Sequence, residues 1–296
     1  MWIGNVACRH PRRVKMSILK KSMIGFLIIS LLALTTACSI SENSGEESNS
    51  GQTQTISISG STSVGPLVEK LAEAYQAENE NMKIEVNQIG SSAGITNAIN
   101  GVSEIGMSSR DLKEEEKAQG LTETIIAYDG IVVVTHPSNK VNDLTMEQVK
   151  QIFTGEITNW SELGGDDMEI VVVSREDGSG SRDAFQEIVG YSSGELVREA
   201  IIASGNGNIK TTVATNKHAV GFISFEYIDE TISTVKINGV ESTAENVLNN
   251  TYSLSRPFLF VHKEDEISEA GKTFINYILS TDGQEIVAKT GAIPVK

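Results

Sequence analysis

Ile170-Val171-Val172-Val173-Ser174-Arg175-Glu176-Asp177-Gly178-Ser179-Gly180-Ser181 runs from four apolar residues into a loop of charged, glycine and serine residues. Its apolar start reads as a buried strand, and Phe185, Ile188 and Val189 beyond it fall at helical spacing. The residues from Arg175 to Ser181 therefore form a loop from a strand end into a helix start. A helix start offers unpaired N–H groups and the positive end of the macrodipole, and glycines let an anion approach the backbone closely. With an arginine fork and small hydroxyls added, the loop is a kit for holding a tetrahedral oxyanion. The plain alternative is a Gly/Ser turn with a surface arginine.

Two more junctions of this kind lie upstream. Ile56-Ser57-Ile58 leads into Gly60-Ser61-Thr62-Ser63-Val64-Gly65-Pro66, after which Leu67, Val68, Leu71, Ala74 and Tyr75 mark a helix with Pro66 suited to its first turn. Ile84-Glu85-Val86 leads into Gly90-Ser91-Ser92-Ala93-Gly94, followed by Ile95, Ala98, Ile99 and Val102 at helical spacing. Strands alternating with helices imply an α/β fold with a largely parallel sheet, in which ligands sit at the carboxyl ends of strands. Three helix N-termini aimed at one place would trap an anion without a metal. At roughly 1.5–3 kcal/mol per hydrogen bond to a charged group, seven or eight bonds suffice for micromolar affinity after desolvation costs.

The N-terminus bears on location. Lys20 and Lys21 precede an apolar run from Met23 to Leu34, which ends in Thr35-Thr36-Ala37-Cys38. This pattern reads as a secretory signal peptide over residues 1–37, its core too short for a transmembrane helix of roughly 20 residues. A cysteine directly after a small residue resembles the bacterial lipoprotein site, so Cys38 is expected to be lipidated, although Thr35 stands where leucine is commonest. Residues 1–15 sit oddly before such a signal, and we expect translation to begin at Met16. Removing residues 1–37 takes away Arg9, Arg12, Arg13, Lys15, Lys20 and Lys21 and no acids, leaving 18 basic against 39 acidic residues, a balance of −21. That charge argues against nucleic acid as a partner and leaves anion capture to local dipoles and a few placed cations. Cys38 is then the sole cysteine, so stability must come from the core. Residues 38–54 hold almost nothing to bury and read as the lipidated cysteine and a flexible tether.

The loops already quoted, with Ile105-Gly106-Met107-Ser108-Ser109, Ile152-Phe153-Thr154-Gly155-Glu156-Ile157-Thr158-Asn159-Trp160, Ala219-Val220-Gly221-Phe222-Ile223 and Phe258-Leu259-Phe260-Val261-His262-Lys263, resemble the phosphate-binding proteins of bacterial high-affinity phosphate ABC transporters. The resemblance runs from about Ile56 to near the C-terminus. It implies a two-lobed type II periplasmic-binding-protein-like fold, each lobe a mixed, mostly parallel sheet flanked by helices, with the ligand cleft between lobes. Lobe I would comprise residues 55–128 plus 255–296 and lobe II residues 129–254, with hinges near Tyr128-Asp129-Gly130 and Ser253-Leu254-Ser255-Arg256-Pro257.

The same resemblance assigns phosphate binding to Thr62, Ser63, Ser91, Ser109, Arg175, Ser179, Gly180 and Ser181. Asp177 would steady Arg175, its alternative being a turn or capping aspartate, and Arg110 would play a supporting part. One position departs from the family pattern. Where an aspartate often accepts the proton of a protonated phosphate, this chain has Ser109, which can donate or accept. The filter against sulfate is then weaker unless Asp111 or another acceptor takes the role; a preference for phosphate of at least tenfold is still expected.

The implied function is an extracytoplasmic solute-binding lipoprotein, a monomer anchored by lipid to the cell membrane, expected at a Gram-positive surface. It would pass inorganic phosphate to the permease and ATPase subunits of an ABC transporter. The alternatives are a binder of sulfate or molybdate, a surface sensor or adhesin, or a hydrolase on the same fold. No enzymatic activity, metal or cofactor is expected. Pro66 stands where a P-loop needs lysine, and Asp177-Gly178-Ser179-Gly180 has no histidine in any known triad spacing. His136, His218 and His262 read as surface or capping residues, and Phe153 and Trp160 as core.

Overall fold

The computed structural model describes residues 53–295. The expected signal peptide, the Met16 start, Cys38 and the tether as far as residue 52 lie outside the described residues. At its far end the expected tether overlaps the fold, because strand β1 (Gln54–Gly60) already includes Gln54, paired with Met82.

The first three strands follow the expected order. Helix α1 (Gly65–Glu78) buries Leu67, Val68, Leu71 and Tyr75, and carries Pro66 in its first turn, where a missing N–H costs nothing. It leads to β2 (Met82–Gln88), α2 (Ser91–Ile99) and β3 (Ile105–Ser108). A short helix, α3 (Glu114–Lys117), precedes the 15-residue strand β4 (Leu121–Thr135). After it come β5 (Asp143–Leu144), α4 (Met146–Thr154), β6 (Val171–Arg175), α5 (Gly180–Val189), β7 (Ile201–Ala203), α6 (Gly205–Thr215) and β8 (Ala219–Ser224). Short strands β9 (Ser233–Thr234) and β10 (Lys236–Ile237) and helix α7 (Ala244–Leu248) follow. The chain returns along β11 (Ser255–Lys263) and ends in α8 (Glu269–Ile278) and α9 (Thr281–Lys289).

The main sheet has the order β2-β1-β3-β11-β4-β8-β6-β7, with β9 also on β4. Its flanks, β2-β1-β3 and β8-β6-β7, are parallel, while β11 and β4 pair antiparallel with their neighbours. Strand β4 is long enough to serve two partners. Residues 121–130 run beside β11, and residues 131–135 beside β8.

The hydrophobic residues separate along the same line. One core gathers Ile56, Leu67, Ile105, Ile126, Phe260 and Phe274, and another gathers Ile131, Phe153, Trp160, Phe185, Phe222 and Leu254. Phe153 and Trp160 are fully buried, as expected of core residues, and Phe185 stacks on Phe222 at 4.1 Å between centroids. A smaller cluster backs each of them, Ile95, Leu259 and Val261 on the first side and Val132, Val173 and Ile209 on the second, so the clusters fall on the two sides of a sheet that β4 spans, the two-lobed architecture that the resemblance implies. Ile293, from the C-terminal tail, packs into the second core, and exchanges backbone hydrogen bonds of 2.8 Å with Tyr128 in β4. His262 departs from its expected surface place. It is buried on the sheet rather than at the surface, while His136 and His218 make exposed contacts with Ser138 and the Glu169 carbonyl.

Candidate functional site

The two parallel flanks aim their carboxyl ends at one place. β1 delivers Ser61, Thr62 and Ser63 to the start of α1, β2 delivers Ser91 to the start of α2, and β3 delivers Ser109 and Arg110. From the other side, β6 delivers Arg175 and the start of α5, and β7 the start of α6. Gly60 ties the first two loops together: its carbonyl accepts from the Ile89 and Gly90 amides at 2.8 Å each, at a φ of 145° that few L residues adopt. A side chain there would also strike the Met107 carbonyl.

These loops meet through side chains. Ser63 Oγ lies 2.8 Å from Ser181 Oγ, and Arg175 Nη2 donates to Thr62 Oγ1 at 2.9 Å. Ser91 Oγ accepts from the Ser109 amide at 3.2 Å, and the Ser92 amide donates to the Gly178 carbonyl. A Cβ on Gly180 would lie 2.2 Å from Ser91 Oγ and 2.7 Å from Ser109 Oγ, so the α5 start sits directly against those hydroxyls. The expected residues Thr62, Ser63, Ser91, Ser109, Arg175, Gly180 and Ser181 are thus in one cluster, all buried except the half-buried Thr62. Ser179 is there too: its hydroxyl caps α5 by accepting from the Arg182 amide, and its own amide donates to the Glu176 carbonyl at 3.3 Å, so the hydroxyl proton is what it has left to offer a ligand.

Arg175 is 1% exposed and sits at the end of β6. Its expected partner requires correction. Asp177 does not steady it; that side chain is 94% exposed and pairs with Arg182, as a turn aspartate can. The steadying carboxylate is Glu176, which takes Arg175 Nε and Nη2 at 2.8 Å each and also accepts from the Gly205 amide at the start of α6. Burial alone would raise the Glu176 carboxyl, but the hydrogen bonds and charge of Arg175 hold it below the usual carboxylate range.

Arg110 supports the cluster from the opposite wall. It is buried, bonds Glu116 through Nη1 at 2.7 Å and Nη2 at 2.8 Å, and donates Nε to Asp183 of α5 at 3.0 Å. Burial would lower its pKa; Glu116 and Asp183 more than reverse this and raise it. Asp111, the fallback acceptor, is exposed and gives its backbone carbonyl to Arg110 instead.

Three contributors were missed by sequence reading. Ser61 accepts from the Ser63 and Val64 amides and donates to Ser109 Oγ. Asn206, 1% exposed, bonds both Ser63 and Arg175. Arg256, fully paired with buried Asp129, donates to the Ser109 carbonyl. Asn206 had a signal: Ile201-Ile202 followed by Ser204-Gly205-Asn206-Gly207 is a fourth strand–glycine–helix junction.

A model of the PBP superfamily domain matches residues 44–282. Phosphate-binding protein PstS of Bacillus subtilis is 34% identical over 258 residues, which cover 85% of this chain and 83% of that protein. The chain belongs to the PstS family of phosphate-binding proteins. The PstS of Borreliella burgdorferi is 30% identical over 84% of this chain and 92% of its own length. Among solved structures, a Clostridium perfringens protein described as a phosphate ABC transporter substrate-binding protein, with phosphate bound, is 60% identical, covers 82% of this chain and all of its own, and superposes with a TM-score of 0.81. An ABC-type phosphate transport receptor from Vibrio cholerae is 37% identical, with a TM-score of 0.72. In this PstS-family chain, the ends of β1, β2, β3 and β6 converge on the cluster around Arg175.

Proposed function

We propose that this chain captures inorganic phosphate in the cleft around Arg175 and passes it to an ABC transporter. The observation that carries the reading is the meeting of a buried guanidinium with three helix N-termini and at least four serine hydroxyls. A fork-shaped cation and preset N–H donors suit a tetrahedral oxyanion better than a lysine point charge would. Seven residues, Thr62, Ser63, Ser91, Ser109, Arg175, Gly180 and Ser181, supply the contacts by side chain or amide; Ser179 adds its hydroxyl proton, and Arg110 and Glu176 brace the walls.

Binding happens between lobes of residues 55–128 plus 255–296 and residues 129–254, which close by bending near Tyr128-Asp129-Gly130 and Ser253–Pro257. The protein works outside the cytoplasm as a monomer, tethered by lipid on Cys38, and hands its cargo to separate permease and ATPase subunits. No helix among the described residues is long and apolar enough to cross a membrane. The reading is of a carrier, and what supports it is that the relatives are phosphate-binding proteins.

Calorimetric titration of the mature chain with phosphate, sulfate and molybdate at two pH values tests this. We expect micromolar or tighter phosphate binding and at least about tenfold weaker sulfate binding. Equal affinity for phosphate and sulfate would replace the reading with a general oxyanion binder.

A further inference from the structure

Each serine hydroxyl has one proton to give and two lone pairs to receive with. Whether it meets an anion usefully depends on which way that proton points, and a freely rotating hydroxyl spends part of its time presenting a lone pair to the anion. The groups behind the cluster remove that freedom.

On one wall, Ser61 Oγ accepts from the Ser63 amide at 3.1 Å and the Val64 amide at 3.2 Å. Both of its lone pairs are filled, so its proton has a single destination, Ser109 Oγ at 2.9 Å. Ser109 Oγ thus receives from behind, and its own proton is turned toward Ser91 and the cleft. On the other wall, the amide of Asn206 can face only one way. Its Oδ1 is met by the Ser224 amide at 3.3 Å and by Arg175 Nη1 at 3.4 Å, and both of these groups can only donate. Its Nδ2 must then face Ser63 Oγ, to which it donates at 2.9 Å. Ser63 Oγ receives from behind, which leaves its proton for the cleft side, where Ser181 Oγ stands in direct contact at 2.8 Å.

We propose that Ser61 and Asn206 are positioning residues that set the hydroxyl polarity of the anion site, each filling a lone pair of a ligand-facing serine so that the serine proton is aimed at the anion. The inference rests on the cleft being the phosphate site and goes beyond it, since neither residue needs to touch phosphate. Both are buried, and both are wired to obligate backbone donors, the α1 start for Ser61 and the end of β8 for Asn206. The polarity is therefore built into the fold before an anion arrives, and no reorganisation is needed when it does.

Two double-mutant cycles, read by phosphate calorimetry with thermal midpoints alongside, test it. Asn206→Ala in the wild type should weaken phosphate binding about tenfold, the value of one well-aimed hydrogen bond to a charge. In a Ser63→Ala background, where no hydroxyl is left to aim, the same change should cost less than about threefold. Ser61→Ala should behave in the same way against Ser109→Ala, an independent arm should the Asn206 variant fold poorly. A residue that merely held Arg175 or the α1 start in place would cost as much in either background, and equal losses overturn the relay. Unchanged affinity in both single variants overturns it as well. A wild-type chain that binds no phosphate overturns the site reading and the relay together, whereas phosphate bound with additive losses overturns the relay alone.

Discussion

Arg175 Nη2 donates to Thr62 Oγ1 at 2.9 Å, joining the end of β6 to the start of α1 across 113 residues of chain. The guanidinium reaches that position because Glu176 occupies its Nε and Nη2 edge and Asn206 meets Nη1. Arg175→Lys keeps the charge but cannot reproduce this fork. With two or more charge-assisted hydrogen bonds lost at roughly 1.5–3 kcal/mol each, phosphate affinity should fall at least about a hundredfold. Calorimetry checks this, and a lysine variant within tenfold of wild type would show that the arginine is not the main cation.

Gly180→Ala probes how tightly the α5 start approaches the opposite wall. The added methyl would lie 2.2 Å from Ser91 Oγ, too close for any rotamer adjustment of a fully buried serine. Gly180 is the first residue of α5 and has no positive φ, so alanine suits the helix itself. Phosphate binding should be lost or weakened more than about a hundredfold, with the far-ultraviolet spectrum little changed and the thermal midpoint lowered by an overpacking cost of about 1–3 kcal/mol. Retained affinity would mean that the two walls do not close on the ligand as they do here.

Much of this was legible in the chain. The strand–loop–helix junctions at Gly60, Gly90 and Gly178 were visible because glycine, serine and apolar periodicity are local signals, and the eight residues that the family resemblance added to them lie in one cluster. What local pattern could not supply was the partner of each charged group. Glu176 and Asp177 are both acidic neighbours of Arg175, and only the backbone course decides that Glu176 turns toward it. Ser61 and Asn206 were hidden for a similar reason: they act through other residues, across separations of 48 and 143 positions, and no spacing rule spans such distances.

Asp129 and Arg256 form a pair, each 1% exposed in its side chain, where β4 passes from β11 to β8. Asp129 Oδ2 takes Arg256 Nε and Nη2, and its Oδ1 takes the Ser224 hydroxyl and the Phe225 amide. Asp129→Ala strands a buried guanidinium and two further donors, so unfolding free energy should drop by about 3–5 kcal/mol. Denaturant unfolding measures it. A loss under about 1 kcal/mol would show that water reaches this crossing and compensates.

Ser109→Asp restores an ionised acceptor at the position where Ser109 departs from the family pattern. A carboxylate there accepts the Ser61 proton and that of a protonated phosphate, but repels an anion with no proton to offer. Sulfate competition against phosphate should show the phosphate-to-sulfate affinity ratio rising at least about tenfold over wild type. If both anions weaken by the same factor, Ser109 does not read the ligand's proton.

Glu226 gives the molecule a pH dependence of its own. It follows β8 in the turn beside Asp129, and its Oε1 is buried without a hydrogen-bond partner. Burial, and after it the charge of Asp129, pushes its carboxyl up to about 9 against the pull of Arg256. An unfolded glutamate titrates near ~4.3, so between there and about 9 the folded chain holds a proton that the unfolded chain has released. Stability from this group is therefore full below the unfolded value and is lost as pH rises through 9. Glu116 and Glu176, held low by Arg110 and Arg175, act in the opposite sense and in a separate window, where stability is lost as acid protonates them below the ordinary glutamate range. Thermal midpoints from pH 5 to 10 should fall toward the alkaline end in the wild type. Glu226→Gln, neutral throughout, should flatten that decline and leave the acid limb unchanged. Parallel curves for the two proteins would place the Glu226 carboxylate in water rather than in the buried turn.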